Sequence, residues 1–157
     1  MPRPVKPIPD GYHTITPYLS IKGAAGAIDF YKKAFGATEV MRLAQPDGRV
    51  GHAELQLGDS RIMLADEFPE MDFKSPPSFG GSPVHLHMYV ANVDAVVSRA
   101  VAAGAKIVRP VQDQFYGDRL KFAAAYADPD SGITTGPRAP LWPVCVGPLT
   151  YTGQAAI

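Results

Sequence analysis

AAGAIDFYKKAFG, residues 24–36, returns in outline as VDAVVSRAVAAG, residues 93–104, and this echo decides the fold. In the first stretch Ala24, Ala27, Ile28, Tyr31, Ala34 and Phe35 fall on one stripe at helical spacing. In the second, Val93, Val96, Val97 and Ala100 do the same. Each ends at a glycine, Gly36 or Gly104, the residue that most easily takes the left-handed conformation closing a helix. The surroundings repeat as well. Residues 14–21 and 84–90 precede the helices and alternate polar with apolar, the period of a strand. Laying Ile21 on Val90 brings Gly36 to Gly104 with a one-residue gap and Val40 to Val108.

After the first helix, residues 38–43, 49–57 and 60–65 read as strands, separated by the turns Gln45-Pro46-Asp47-Gly48 and Gly58-Asp59. After the second, residues 106–109 and 120–126 do so around a loop over 112–119. The chain therefore divides into five parts. An extended arm covers 1–11, a first β-α-β-β-β module 12–66, and a Pro- and Gly-rich connector 67–82. A second module covers 83–132 without its last strand, and a Pro-rich tail covers 133–157. The fold class is α+β: two such modules whose mixed sheets form a curved, cup-like surface with the helices outside. Pro17 has no N–H to give a ladder, so the first strand belongs at an edge or pairs irregularly there.

Bulk composition narrows the partners. Lys+Arg and Asp+Glu stand at 15 each over 157 residues, which leaves no basic face for nucleic acid or an anionic membrane. No apolar run is long enough to span a bilayer, and the first residues lack a signal-peptide core, so a cytoplasmic protein is expected. The single Cys145 excludes an intrachain disulfide and a Cys-rich zinc site. No histidine or basic cluster lies near it in sequence to make a nucleophile of it. A small molecule is the expected ligand.

Several motifs in order carry a resemblance. They are Pro17-Tyr18-Leu19, residues 27–37, Gly58-Asp59-Ser60 with residues 62–67, and residues 113–119. Together they resemble the PhnB-like branch of the vicinal oxygen chelate superfamily, which includes glyoxalase I, bleomycin-resistance proteins and extradiol dioxygenases. The resemblance runs from about residue 5 to Arg119 and implies the paired βαβββ fold already read from the repeat. Past Asp128-Pro129 the family continues into Gly-His-x-Trp and a final strand. Here residues 133–157 hold Pro137, Pro140, Pro143 and Pro148, a density that argues against a regular central strand. This tail is either a diverged segment packing on the sheet or a partner, or the product of a shifted reading frame.

The resemblance also implies positions for a divalent metal, on the first and last strands of each module. They fall on Thr16, Met63, His85 and a residue near Thr135, and only His85 is a good ligand. A rearranged set is the alternative: His85 and His87 on one strand face, His52 and Glu54 on another. His52 and Glu54 also read simply as the polar face of a half-buried strand. Alternation sets Tyr18, Ser20, His87 and Tyr89 on one face. Phe115 and Tyr116 form a loop able to close over a ligand, and Arg119 is available to an anion or pairs with Asp113 or Asp118. The expected ligand-binding residues are Tyr18, His85, His87, Tyr89, Phe115, Tyr116 and Arg119, and the ligand is flat or aromatic. The leading expectation is a metal-independent small-molecule-binding homodimer. The alternatives are a metal-dependent lyase, isomerase or dioxygenase of the superfamily, and a protein-interaction module using the C-terminal tail.

Overall fold

The computed structural model describes residues 6–82, 84, 86–113, 119–124 and 143–148. The first module runs β1 (Tyr18–Ile21), α1 (Ala24–Phe35), β2 (Thr38–Ala44), β3 (Val50–Leu57) and β4 (Ser60–Asp66). The second runs β5 (Leu86–Val90), α2 (Val93–Ala102), β6 (Lys106–Asp113), β7 (Arg119–Ala124) and β8 (Pro143–Pro148). Each builds a four-stranded sheet, ordered β1-β4-β3-β2 in one and β5-β8-β7-β6 in the other. In both, the first and last strands pair in parallel and the remaining pairs are antiparallel. The repeat in the sequence is thus a repeat in topology. The chain divides into two compact units between Ser75 and Pro76, inside the expected connector.

Both helices stop as the glycines require. Gly36 takes φ +70° and donates to the Lys32 carbonyl, while Ala37 reaches back to Tyr31. Gly104, at φ +105°, donates to Val101, and Ala105 reaches back to Ala100. In the first module the stripe of α1 lies against all four strands. Ala24, Ala27, Ile28, Tyr31, Ala34 and Phe35 are buried, as are Leu19, Ile21, Ala53, Leu55, Ile62 and Leu64 of the strands. The alternate strand positions, among them Tyr18, His52, Glu54, Gln56 and Met63, fall on the opposite face by the two-residue period.

The start of α1 has an unusual solution. Gly23 stands at its cap and offers no side chain. Asp66, at the end of β4, does the work from 42 residues away: Oδ1 accepts from the Ala24 N–H at 2.8 Å. Its other oxygen accepts from the Val50 N–H at 2.6 Å, at the start of β3. In the second module α2 is capped locally, Asn92 accepting from the Ala95 N–H at 2.9 Å. The registers explain the difference. Asp66 lies opposite Ile21 and Pro148 opposite Val90, so the counterpart of Asp66 is a proline, whose side chain carries no acceptor.

Three expectations are corrected. The second module is not left open: Pro143–Pro148 of the tail pairs with both β5 and β7 as a central strand. Its prolines occupy the two end positions and Val144-Cys145-Val146 the ladder between, which is how a central strand admits proline. β1 begins at Tyr18 rather than at residue 14, just past Pro17, whose carbonyl still accepts from Met63. β6 extends to Asp113, with irregular steps between Ile107 and Arg109 and between Arg109 and Gln112, the second spanning Pro110. The edge position expected for the strand after Pro17 holds: β1 is an outer strand of its sheet.

Two outcomes test this architecture. Asp66→Asn is expected to cost about 2–3 kcal/mol, since two buried N–H groups lose an ionised acceptor; the urea-unfolding midpoint measures it. A chain ended at residue 142 is expected to lose amide protection in β5 and β7, the two strands β8 joins. Unchanged hydrogen exchange there would show that the tail is not part of the sheet.

Candidate functional site

The open face of the first sheet carries a connected polar chain. Register sets Tyr18, Met63, Glu54 and Met41 in one row across the four strands, with Gln56 opposite Arg61 in the adjacent row. Tyr18 Oη lies 2.9 Å from Nδ1 of His52, and Nε2 of His52 lies 3.3 Å from Oε1 of Glu54. The second Glu54 oxygen accepts from the Tyr12 hydroxyl and, at 3.2 Å, from Nη1 of Arg61. Arg61 also donates through Nε to Gln56 and lies 4.4 Å from the centre of the Tyr12 ring. Burial runs along the chain: Glu54 is 7% exposed and Tyr18 45%.

This geometry sets the charge states. Burial opposes ionisation of Glu54, but hydrogen bonds from Tyr12 and His52 and the nearby Arg61 guanidinium outweigh it and hold the carboxyl below its ordinary range. The same contact pushes the Tyr12 hydroxyl up, chiefly because Glu54 accepts its proton, and burial raises Tyr18. Glu54 is therefore a buried carboxylate on the polar face that alternation predicts.

Two residues of this cluster were not visible as site residues in the sequence. Tyr12 opens the first module directly after the expected arm, and the turn at Asp10-Gly11 brings it over β3 and β4. Gly11 sits at φ +83°, where an L side chain is strained, and a Cβ there would press on the Arg61 guanidinium at 3.0 Å. Arg61 could have been found by stepping two residues back from Met63 along the same face. The connector adds Phe73, whose ring meets Tyr18 edge-on at 5.8 Å. It is held by the paired Phe68 and Phe73 backbones, while Arg49 reaches Glu70 and stacks over Phe68.

On the second sheet His87 and Tyr89 are both exposed on β5, with ring centroids 4.6 Å apart. His87 pairs in register with Cys145, as Tyr18 pairs with Met63. Cys145, and not a residue near Thr135, therefore holds the last-strand position. Arg119 opens β7 opposite Asp113. His85, Phe115, Tyr116 and Thr135 lie outside the described residues.

The divalent metal implied by the family resemblance fits the first module poorly. Thr16 and Met63 would offer a hydroxyl and a thioether, weak donors for a hard or borderline ion. The rearranged pair is committed elsewhere, since both His52 nitrogens and both Glu54 oxygens already have partners. Among the described residues no three His, Cys, Asp or Glu side chains come together as a ligand set.

Comparisons with known proteins agree with this fold. A family model for the Glyoxalase/Bleomycin resistance protein/Dioxygenase superfamily matches residues 13–135. An uncharacterized protein of Mycobacterium bovis is 43% identical over 113 residues, covering 70% of this chain and 74% of its own. Among solved structures, TioX from Micromonospora sp. ML1 superposes with a TM-score of 0.60 at 22% identity, covering 92% of this chain and 99% of that one. A PhnB protein from Bacillus cereus gives 0.58 at 18% identity, covering 85% and 99%. At these identities the two structures speak for the fold alone.

The depressed Glu54 carboxyl has a measurable consequence. A group held below its unfolded value stabilises the fold above that value and ceases to as pH falls through the lower, folded one. Wild-type stability is thus expected to drop as pH falls below the ordinary glutamate value of 4.5, and Glu54→Gln to lose that part of the drop. Urea midpoints against pH for the two proteins measure it.

Proposed function

Because the chain belongs to the Glyoxalase/Bleomycin resistance protein/Dioxygenase superfamily, we propose that it is a metal-independent small-molecule-binding protein, with a flat, partly apolar ligand on the open face of the first sheet. The observation that carries this reading is the commitment of His52. Its two ring nitrogens are occupied by Tyr18 and Glu54, so the imidazole organises the face instead of offering a lone pair to a metal. The surroundings suit such a ligand. Tyr18 is half exposed, Phe73 stands edge-on to it, and Met63 and Met41 share its row, giving aromatic and polarisable sulfur surface beside a few fixed polar groups.

On the second sheet, His87, Tyr89 and Arg119 remain proposed contacts, with His85, Phe115 and Tyr116. The proposal assigns these residues to ligand contact and none of them to a reaction.

Protein purified without chelator is expected to contain well below one divalent metal per chain. A thermal-shift screen is expected to find stabilising flat aromatic compounds whose effect survives added EDTA. Stoichiometric zinc, nickel, manganese or iron, lost on His85→Ala, would overturn the reading in favour of a metal-dependent lyase, isomerase or dioxygenase.

A further inference from the structure

The hydrogen-bond chain on the first sheet has a direction, and the direction specifies a ligand group. Glu54 accepts from Tyr12 and pairs with Arg61, so its carboxylate has no proton to give and only accepts. The contact between His52 Nε2 and Glu54 Oε1 must therefore use a hydrogen on Nε2. In the neutral ring that leaves Nδ1 bare, and the hydrogen between Nδ1 and Tyr18 Oη, 2.9 Å apart, has to be the phenolic one. With the ring neutral, Tyr18 spends its only hydrogen inward. What the oxygen of this half-exposed residue has left for a ligand is lone pairs.

We propose that Tyr18 is a hydrogen-bond acceptor set by His52 and Glu54, and that the first sheet selects neutral aromatic hydroxyl compounds, phenols or naphthols, over their ethers. Selection against cations follows from charge: the Glu54 carboxylate is already matched by Arg61, so no unpaired negative charge faces the ligand. Selection for an aromatic ring follows from the surface around the oxygen. Phe73 meets the Tyr18 ring at 82°, His52 tilts at 39° with its centroid 5.4 Å away, and the thioethers of Met63 and Met41 lie in the same row. A hydroxyl on a ring in that position would give its hydrogen to Tyr18. A methyl ether has none to give and sets two oxygen lone pairs against each other. The inference rests on the ligand reading above and deepens it.

The test uses 2-naphthol and 2-methoxynaphthalene as probes, titrated by fluorescence against the full chain at neutral pH. Wild type is expected to bind 2-naphthol about five- to tenfold more tightly, the worth of one net hydrogen bond. Tyr18→Phe, a change at a half-exposed side chain, is expected to bring the ratio to about one by removing the acceptor. His52→Leu tests the direction itself. With no imidazole to receive it, the Tyr18 hydrogen is free to turn outward and serve the ether, so the preference is expected to collapse although Tyr18 is still present. Equal affinities in wild type, or a preference that survives Tyr18→Phe, would overturn the inference and leave the ligand reading standing. Failure of both probes to bind would overturn the two together.

Discussion

The Asp66 carboxylate joins three elements of the first module at one point. It receives the first N–H of α1 and the first N–H of β3 while sitting at the end of β4. A helix start leaves N–H groups without intrahelical partners, and a buried one costs free energy unless something accepts from it. Gly23 offers nothing, so the sheet supplies the acceptor. That contact fixes where α1 sits along β4, hence which strand residues its stripe covers and which are left on the other face. The polar chain from Tyr18 to Arg61 is the set of side chains left on that other face.

The chain has its own internal logic. A carboxylate buried to 7% exposure is tolerable only because Tyr12, His52 and Arg61 all donate to it. Each donor is then held by the carboxylate in return, and the constraint passes outward through His52 to Tyr18. The exposed end thus takes its position from the buried one. Gly11 at the end of the arm and Tyr12 just after it belong to this arrangement, because Tyr12 donates to the carboxylate and Gly11 leaves room for the Arg61 guanidinium.

The fold was legible from periodicity. Both helices were readable from stripes ending in Gly36 and Gly104, and the equivalence of Ile21 and Val90 from the repeat register. β8 was not, because four ladder positions bracketed by Pro143 and Pro148 are outweighed in any window by the surrounding proline. Of the site, Tyr18 was legible from alternation, and His52 with Glu54 as a pair on one face. What those two do was not, since the deciding contacts reach over 34 residues to Tyr18 and 42 to Tyr12. Local pattern tells which face a residue takes and is silent on what meets it there. The metal positions inherited from the resemblance illustrate the same gap. Register moves the last-strand position of the second module from Thr135 to Cys145, which no count from Asp128-Pro129 would have found.

The unequal capping of the two helices bears on how the chain assembles. Loop-closure entropy makes a contact spanning 42 residues slow to form compared with one spanning 3. The Asn92 cap of α2 can close as soon as its own first turn does. The Asp66 cap of α1 needs β4 in place, so this helix start is completed by its sheet. Two modules with one topology therefore close their helix starts differently: within one turn of chain in the second, across the sheet in the first.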